Sequence, residues 1–139
     1  MSGATPRPKT IPVVAAFLFL ATAIAAVTGT SLLFPNPLLD RLWELNPTAA
    51  AGFRAMGWIS GVLLLGLGGG TAAAAIGLLQ RKKWAWWFAV ALFAVNGCGD
   101  VVSLCVTGDL VRSAAGVAVA GTFLYYLSLP VVRSYFQRN

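Results

Sequence analysis

The chain has 139 residues, of which 58% are hydrophobic and only 10% charged, with no histidine. A soluble domain carries about 25% charged residues, so this composition excludes an ordinary water-facing fold and points to lipid as the solvent. The net charge of +6 would suggest nucleic acid in a soluble protein, but the basic residues stand at the ends of apolar runs, and that reading is rejected.

A helix needs roughly 20 apolar residues to cross a hydrocarbon core about 30 Å thick. Residues 11–34, 56–79, 84–106 and 113–132 meet that requirement. They predict an all-α integral membrane four-helix bundle, one domain over residues 1–139, with the lipid bilayer as its first partner. The first run has a basic start and small residues from Ala23 to Ala26, as a secretory signal does. A signal core is only about 7–15 apolar residues long. This run continues through Leu32, Leu33 and Phe34, so a retained span is expected.

Between the first two runs, Leu38, Leu39, Leu42, Trp43 and Leu45 fall on one helical face, and Asp40, Arg41 and Glu44 on the other. This pattern predicts a short amphipathic interfacial helix over about residues 37–45, a lid on the bundle with Trp43 as its anchor. Asn46-Pro47 reads as an N-cap followed by proline at the first helical position, so the second span is expected to start early and project from the membrane before Arg54.

In the second run, Gly66, Gly70, Ala73 and Gly77 recur at helical spacing and predict a packing face, because small residues let backbones approach where lipid removes the hydrophobic drive. Ala15, Thr22, Ala26 and Gly29 in the first run, and Gly116 and Ala120 in the fourth, make similar stripes. Packing within one bundle accounts for most of them, and the surplus suits a homo-oligomer or a larger membrane complex. Gly68-Gly69-Gly70 is no nucleotide loop, since it lacks the lysine and the strand-to-helix context. The short turn from Gln80 to Lys83 predicts a tight hairpin, with Trp84, Trp86 and Trp87 as one aromatic belt and Trp58 in the other.

The third run carries the main polar feature. Asn96, Asp100, Ser103 and Thr107 share one narrow face at 100° per residue. A charge at bilayer depth costs roughly 2.5–3.5 kcal/mol even on the lenient insertion scale, so the stripe must face protein or water. Arg112, with Thr28, Thr30, Ser31, Ser60 and Ser113, adds polarity at matching depth and suggests a vestibule open on that side. Two roles follow for Asp100: a hydrogen-bonding lock that fixes helix register, or a proton or cation site with Asn96 as a coordinating neighbour. Thr107-Gly108-Asp109 closes the third run, and Pro130 is expected to bend the last turn of the fourth.

Arg7, Lys9, Arg81, Lys82, Lys83, Arg133 and Arg138 fall on one side of the four runs, against Arg41, Arg54 and Arg112 on the other. The positive-inside rule places the first side, and both termini, in the cytoplasm. The four acids lie toward the opposite side. Cys98 and Cys105 stand two turns apart, too far for a disulfide within one helix, and are expected to be buried apolar thiols. Without histidine, imidazole ligation of haem or zinc and a serine triad fall away, and the acids are too few for a metal-dependent phosphotransferase. No catalytic residue, metal site or cofactor is expected, and no enzyme.

The stretch from Arg81 to Asp100, RKKWAWWFAVALFAVNGCGD, resembles small uncharacterised bacterial four-span integral membrane proteins that pair a basic-Trp turn with an Asn and a Gly-Asp late in the next span. The Thr107-Gly108-Asp109 turn and the closing LPVVRSYF, Leu129 to Phe136, are similar too. The likeness covers the second half of the chain. It implies a multi-pass protein of the bacterial cytoplasmic membrane and no activity. The four-span small multidrug transporters compare in size only, because they place an essential Glu in a first span and this first span has no acid. The expected function is a non-enzymatic accessory, scaffold or oligomeric structural subunit of a membrane assembly. Its rival is a small proton- or cation-coupled transporter or channel using Asp100 and Asn96.

Overall fold

The computed structural model describes residues 6–137; Arg138, counted above among the cytoplasmic charges, lies outside them. Seven helices follow in order: α1 (Thr10–Leu33), α2 (Pro37–Trp43), α3 (Pro47–Ala55), α4 (Trp58–Leu79), α5 (Lys83–Thr107), α6 (Leu110–Ser128) and α7 (Pro130–Gln137). Four of them, α1, α4, α5 and α6, are long and apolar enough to cross a membrane.

The helix ends follow local chemistry. Asn36 and Asn46 each cap a helix whose first residue is proline, accepting from Leu38 N at 2.9 Å and Ala49 N at 3.2 Å. Gly57, with φ +64, ends α3 in the left-handed region, which a helix cannot continue. Residues 47–55 therefore form a helix of their own rather than the projecting start of the second span. Gly108, at φ +68, ends α5, and Asp109 caps α6 by accepting from Arg112 N at 3.3 Å. Pro130 does more than bend the fourth span. Proline pushes the residue before it out of the helical region, so Leu129 turns to ψ 137 and α7 begins anew.

The described residues cluster into two compact units. A central unit holds residues 16–73, and a terminal unit joins residues 6–15 to 74–137. In the central unit, α1 and α4 meet on glycine. A Cβ at Gly61 would lie 2.7 Å from Leu33 Cγ and 3.1 Å from the Gly29 carbonyl, and one at Gly68 would lie 3.3 Å from Ala25 Cβ. Thr22 and Thr71 hydroxyls bond across this contact at 2.8 Å, and each also reaches the Gly68 carbonyl. Trp43 is buried rather than set in the interface. Its indole nitrogen donates to Ser31 Oγ at 2.9 Å and its ring packs on Phe53, so it pins α2 to the end of α1. Leu38 in α2 and Leu45 just beyond it, 76% and 84% exposed, are left as an outward apolar edge.

The terminal unit packs α5 against α6, with α7 folded onto both. Phe93 stacks on Phe123 at 4.9 Å, and Leu78, Ala85, Ala89, Leu127, Val132 and Phe136 are buried.

Candidate functional site

Unpaired carbonyls gather at the C-terminus of every helix and attract cations and donors. In the terminal unit, side chains meet three such ends. Arg7 donates to Leu79 O at 3.0 Å at the end of α4, and Trp86 Nε1 to Leu127 O at 3.0 Å near the end of α6. Arg81 donates to Tyr135 O at 3.2 Å on α7, and its guanidinium lies 4.1 Å over the Tyr135 ring. Arg81 itself adopts φ 61, a left-handed turn conformation that aims the chain back into α5. The sequence signalled this end through its charges, its short turn and its tryptophans. The docking of α7 was missed, although the paired aromatics Tyr135 and Phe136 beyond the last span were a signal for it.

At the far end of α5 lies the polar stripe. Asp100 is half-buried, and its carboxylate rests against Gly116 of α6, where an added Cβ would collide with it. One turn nearer the middle, a Cβ at Gly97 would stand 3.3 Å from Ala120 Cβ. Phe93 with Phe123, Gly97 with Ala120 and Asp100 with Gly116 thus set one antiparallel register, and Gly116 supplies the room that the carboxylate fills. Asn96, Ser103, Thr107 and Arg112 are exposed, whereas Asp100 lies in the α5–α6 contact. Thr107 is turned onto its own helix, donating to Ser103 O at 2.7 Å.

Three of the hydroxyls expected to share a vestibule donate to carbonyls near them in sequence. Thr28 donates to Ile24 O at 2.7 Å, Ser31 to Thr28 O at 2.7 Å, and Ser60 to Phe53 O and Gly57 O at 2.9 and 2.7 Å.

The packing face of α4 is corrected. Gly61, Gly68, Thr71 and Ala75 form the buried side, while Gly66 has nothing within 4 Å of an added Cβ and Ala73 is exposed. Gly70 is half-buried. Gly77 makes a different close contact, with Ala85 across the hairpin turn, where a Cβ would come within 2.6 Å. Gly66 and Gly70 stand about 200° around the helix from Gly68, so they cannot share its partner. The spacing of seven between Gly61, Gly68 and Ala75 was the legible signal for the true face. The cysteines are corrected as well: Cys98 and Cys105 are exposed, and Cys98 lines a crevice beside α6.

Two open crevices are apolar. One, of about 420 Å³, lies between α1 and α2 and is lined by Ile24, Val27, Leu42 and Leu45. The other, of about 480 Å³, runs along α5 and α6 past Gly97, Val101, Val117 and Gly121. Among the described residues, no group of three or more Cys, Asp or Glu side chains could hold a metal ion. No family model, curated protein or solved structure matches this chain.

Proposed function

We propose that this chain is a multi-pass membrane protein without catalytic chemistry, an accessory or scaffold subunit whose third span is completed by a second copy or a partner helix. The observation that carries the reading is the exposure of Asn96 and Ser103 on α5, a helix apolar enough to cross a membrane, where lipid tails offer no hydrogen bonds. The neighbouring crevice is lined by Gly97 and Gly121, the residue type that lets another helix approach. Both termini lie in the cytoplasm, and α2 lies as a lid in the outer interface with Leu38 and Leu45 toward lipid. The resemblance to small bacterial four-span proteins supports a location in the cytoplasmic membrane.

The test is the mass of the complex purified in mild detergent. Asn96→Leu should release the chain as a folded monomer, because the partner's hydrogen bond is gone. An undiminished complex in that variant overturns the reading. One specific observation favours a transporter instead: a half-buried carboxylate, Asp100, in an apolar span. Proton or cation flux in liposomes, lost in a folded Asp100→Asn variant, would replace the scaffold with that second reading.

A further inference from the structure

The terminal unit concentrates charge of one sign at one end. The Arg7 bond to Leu79 O and the Arg81 bond to Tyr135 O bring the start of α1, the α4–α5 turn and α7 together there. With them come Lys9, Lys82, Lys83 and Arg133, all exposed. No acid occurs in residues 6–15, 74–99 or 128–137. The first acid along α5 is Asp100, about 25 Å beyond Lys83 at 1.5 Å per residue. Arg7 and Arg81 are engaged on carbonyls and hold the end together, while the other four present their charges outward. Trp84 and Trp87, 53% and 57% exposed, stand beside Lys82 and Lys83 on the first turns of α5. Amphipathic indoles of this kind sit at the headgroup level of a bilayer.

We infer that this end of the terminal unit is a docking surface for anionic phospholipid headgroups, with Lys9, Lys82, Lys83 and Arg133 as the phosphate-facing contacts and Trp84 and Trp87 as the adjoining membrane anchors. The inference rests on the membrane reading above but not on the scaffold reading. Charge complementarity carries it: four exposed cations without a neighbouring acid, beside aromatic side chains, match a surface of phosphates lying over hydrocarbon. The α7 helix, held down by Tyr135 and Phe136, keeps Arg133 at this surface.

The experiment uses the full chain purified in a neutral detergent and titrated with phosphatidylglycerol or with phosphatidylcholine. Bound lipid is counted by native mass spectrometry and the melting point is followed in parallel. Phosphatidylglycerol should be retained and raise the melting point, phosphatidylcholine should do neither, and added salt should weaken the effect. Replacing Lys82 and Lys83 together by alanine should weaken retention by roughly fivefold per lysine. Arg112→Ala, at the other end of α5, should leave retention unchanged. Equal retention of the two lipids overturns the inference, as does an unaltered affinity in the double lysine variant. So does a preference transferred to an acidic protein that co-purifies and blocks the lipid. Carbonate extraction of cell membranes separates the two failures: a chain released by carbonate defeats the membrane reading itself, whereas a chain that stays embedded yet ignores phosphatidylglycerol defeats only this proposal.

Discussion

The α1–α4 contact of the central unit and the α5–α6 contact of the terminal unit both rely on glycine, but for opposite purposes. Gly29, Gly61 and Gly68 bring two backbones together, and the polar atoms between them, Thr22 and Thr71, bond to each other and to Gly68 O. Gly116 instead clears a space for a carboxylate. The first contact is finished within the chain. The second places an acidic side chain in its seam and leaves Asn96 and Ser103 on the open side of the same helix. The burial of the spans agrees: α5 and α6 bury 11% and 17% of their most apolar stretches within the chain, against 28% and 33% for α1 and α4. A pair of helices that satisfies its own polar groups needs no neighbour to complete them, and the open polar groups of the other pair are what the proposed partner would meet.

The largest expected effect breaks the finished contact. Gly61→Leu must displace Leu33 and the Gly29 carbonyl, and since backbone cannot move aside cheaply, overpacking should cost about 2–3 kcal/mol. Thermal unfolding in detergent reads the loss. Gly66→Leu, placed where an added Cβ has nothing within 4 Å, is the control and should be nearly neutral. Equal damage at both positions would mean that Gly61 is not at a helix–helix contact.

That pair of substitutions also marks what the sequence could and could not convey. Spans and turns were legible to within a few residues, because apolar run length, Asn-Pro caps and the Gly108-Asp109 turn act locally. The face of α4 was not. Residues 66–70 include four glycines, which surround the helix, so small size alone names no side. The choice is made by the partner, where Thr22, Ala25 and Gly29 stand in register with Gly61 and Gly68. Asp100 was legible as the exceptional residue, but its setting depends on Gly116, sixteen residues away and beyond a turn. The α7 helix was read as the tail of a span because Pro130 follows an apolar run, and only the packing of Val132, Tyr135 and Phe136 shows that the chain turns onto α5 and α6.

A smaller effect sharpens the unfinished contact. Gly116→Ala puts a methyl group where the Asp100 carboxylate lies, but a side-chain tip can swing away, so the cost should be about 1–2 kcal/mol. The penalty should disappear in an Asp100→Ser background, which removes the colliding atoms. A double-mutant cycle on the melting point should therefore give a coupling of about 1 kcal/mol. Additive effects would mean that Gly116 does not serve Asp100. Asp100→Asn, of the same shape, should be tolerated by the fold, and Asp100→Leu should not.

The smallest effect tests whether the hydroxyls of the two pairs have different roles. Thr22→Val keeps the volume but removes the donor to Gly68 O and the bond to Thr71. Interhelical hydrogen bonds in membranes average about 0.6 kcal/mol, and a loss of that order is expected in the isolated chain. Thr71→Val should cost about as much, and the double variant little more, because both remove the same bond. Ser103→Val on α5 should behave differently. Its side chain is exposed, so the isolated chain should melt unchanged, while any complex built on the polar stripe should weaken. Melting of the monomer and mass of the complex, measured on the same three variants, separate the two roles. If Ser103→Val destabilises the monomer as Thr22→Val does, the stripe belongs to the chain's own packing and the contrast between the helix pairs fails.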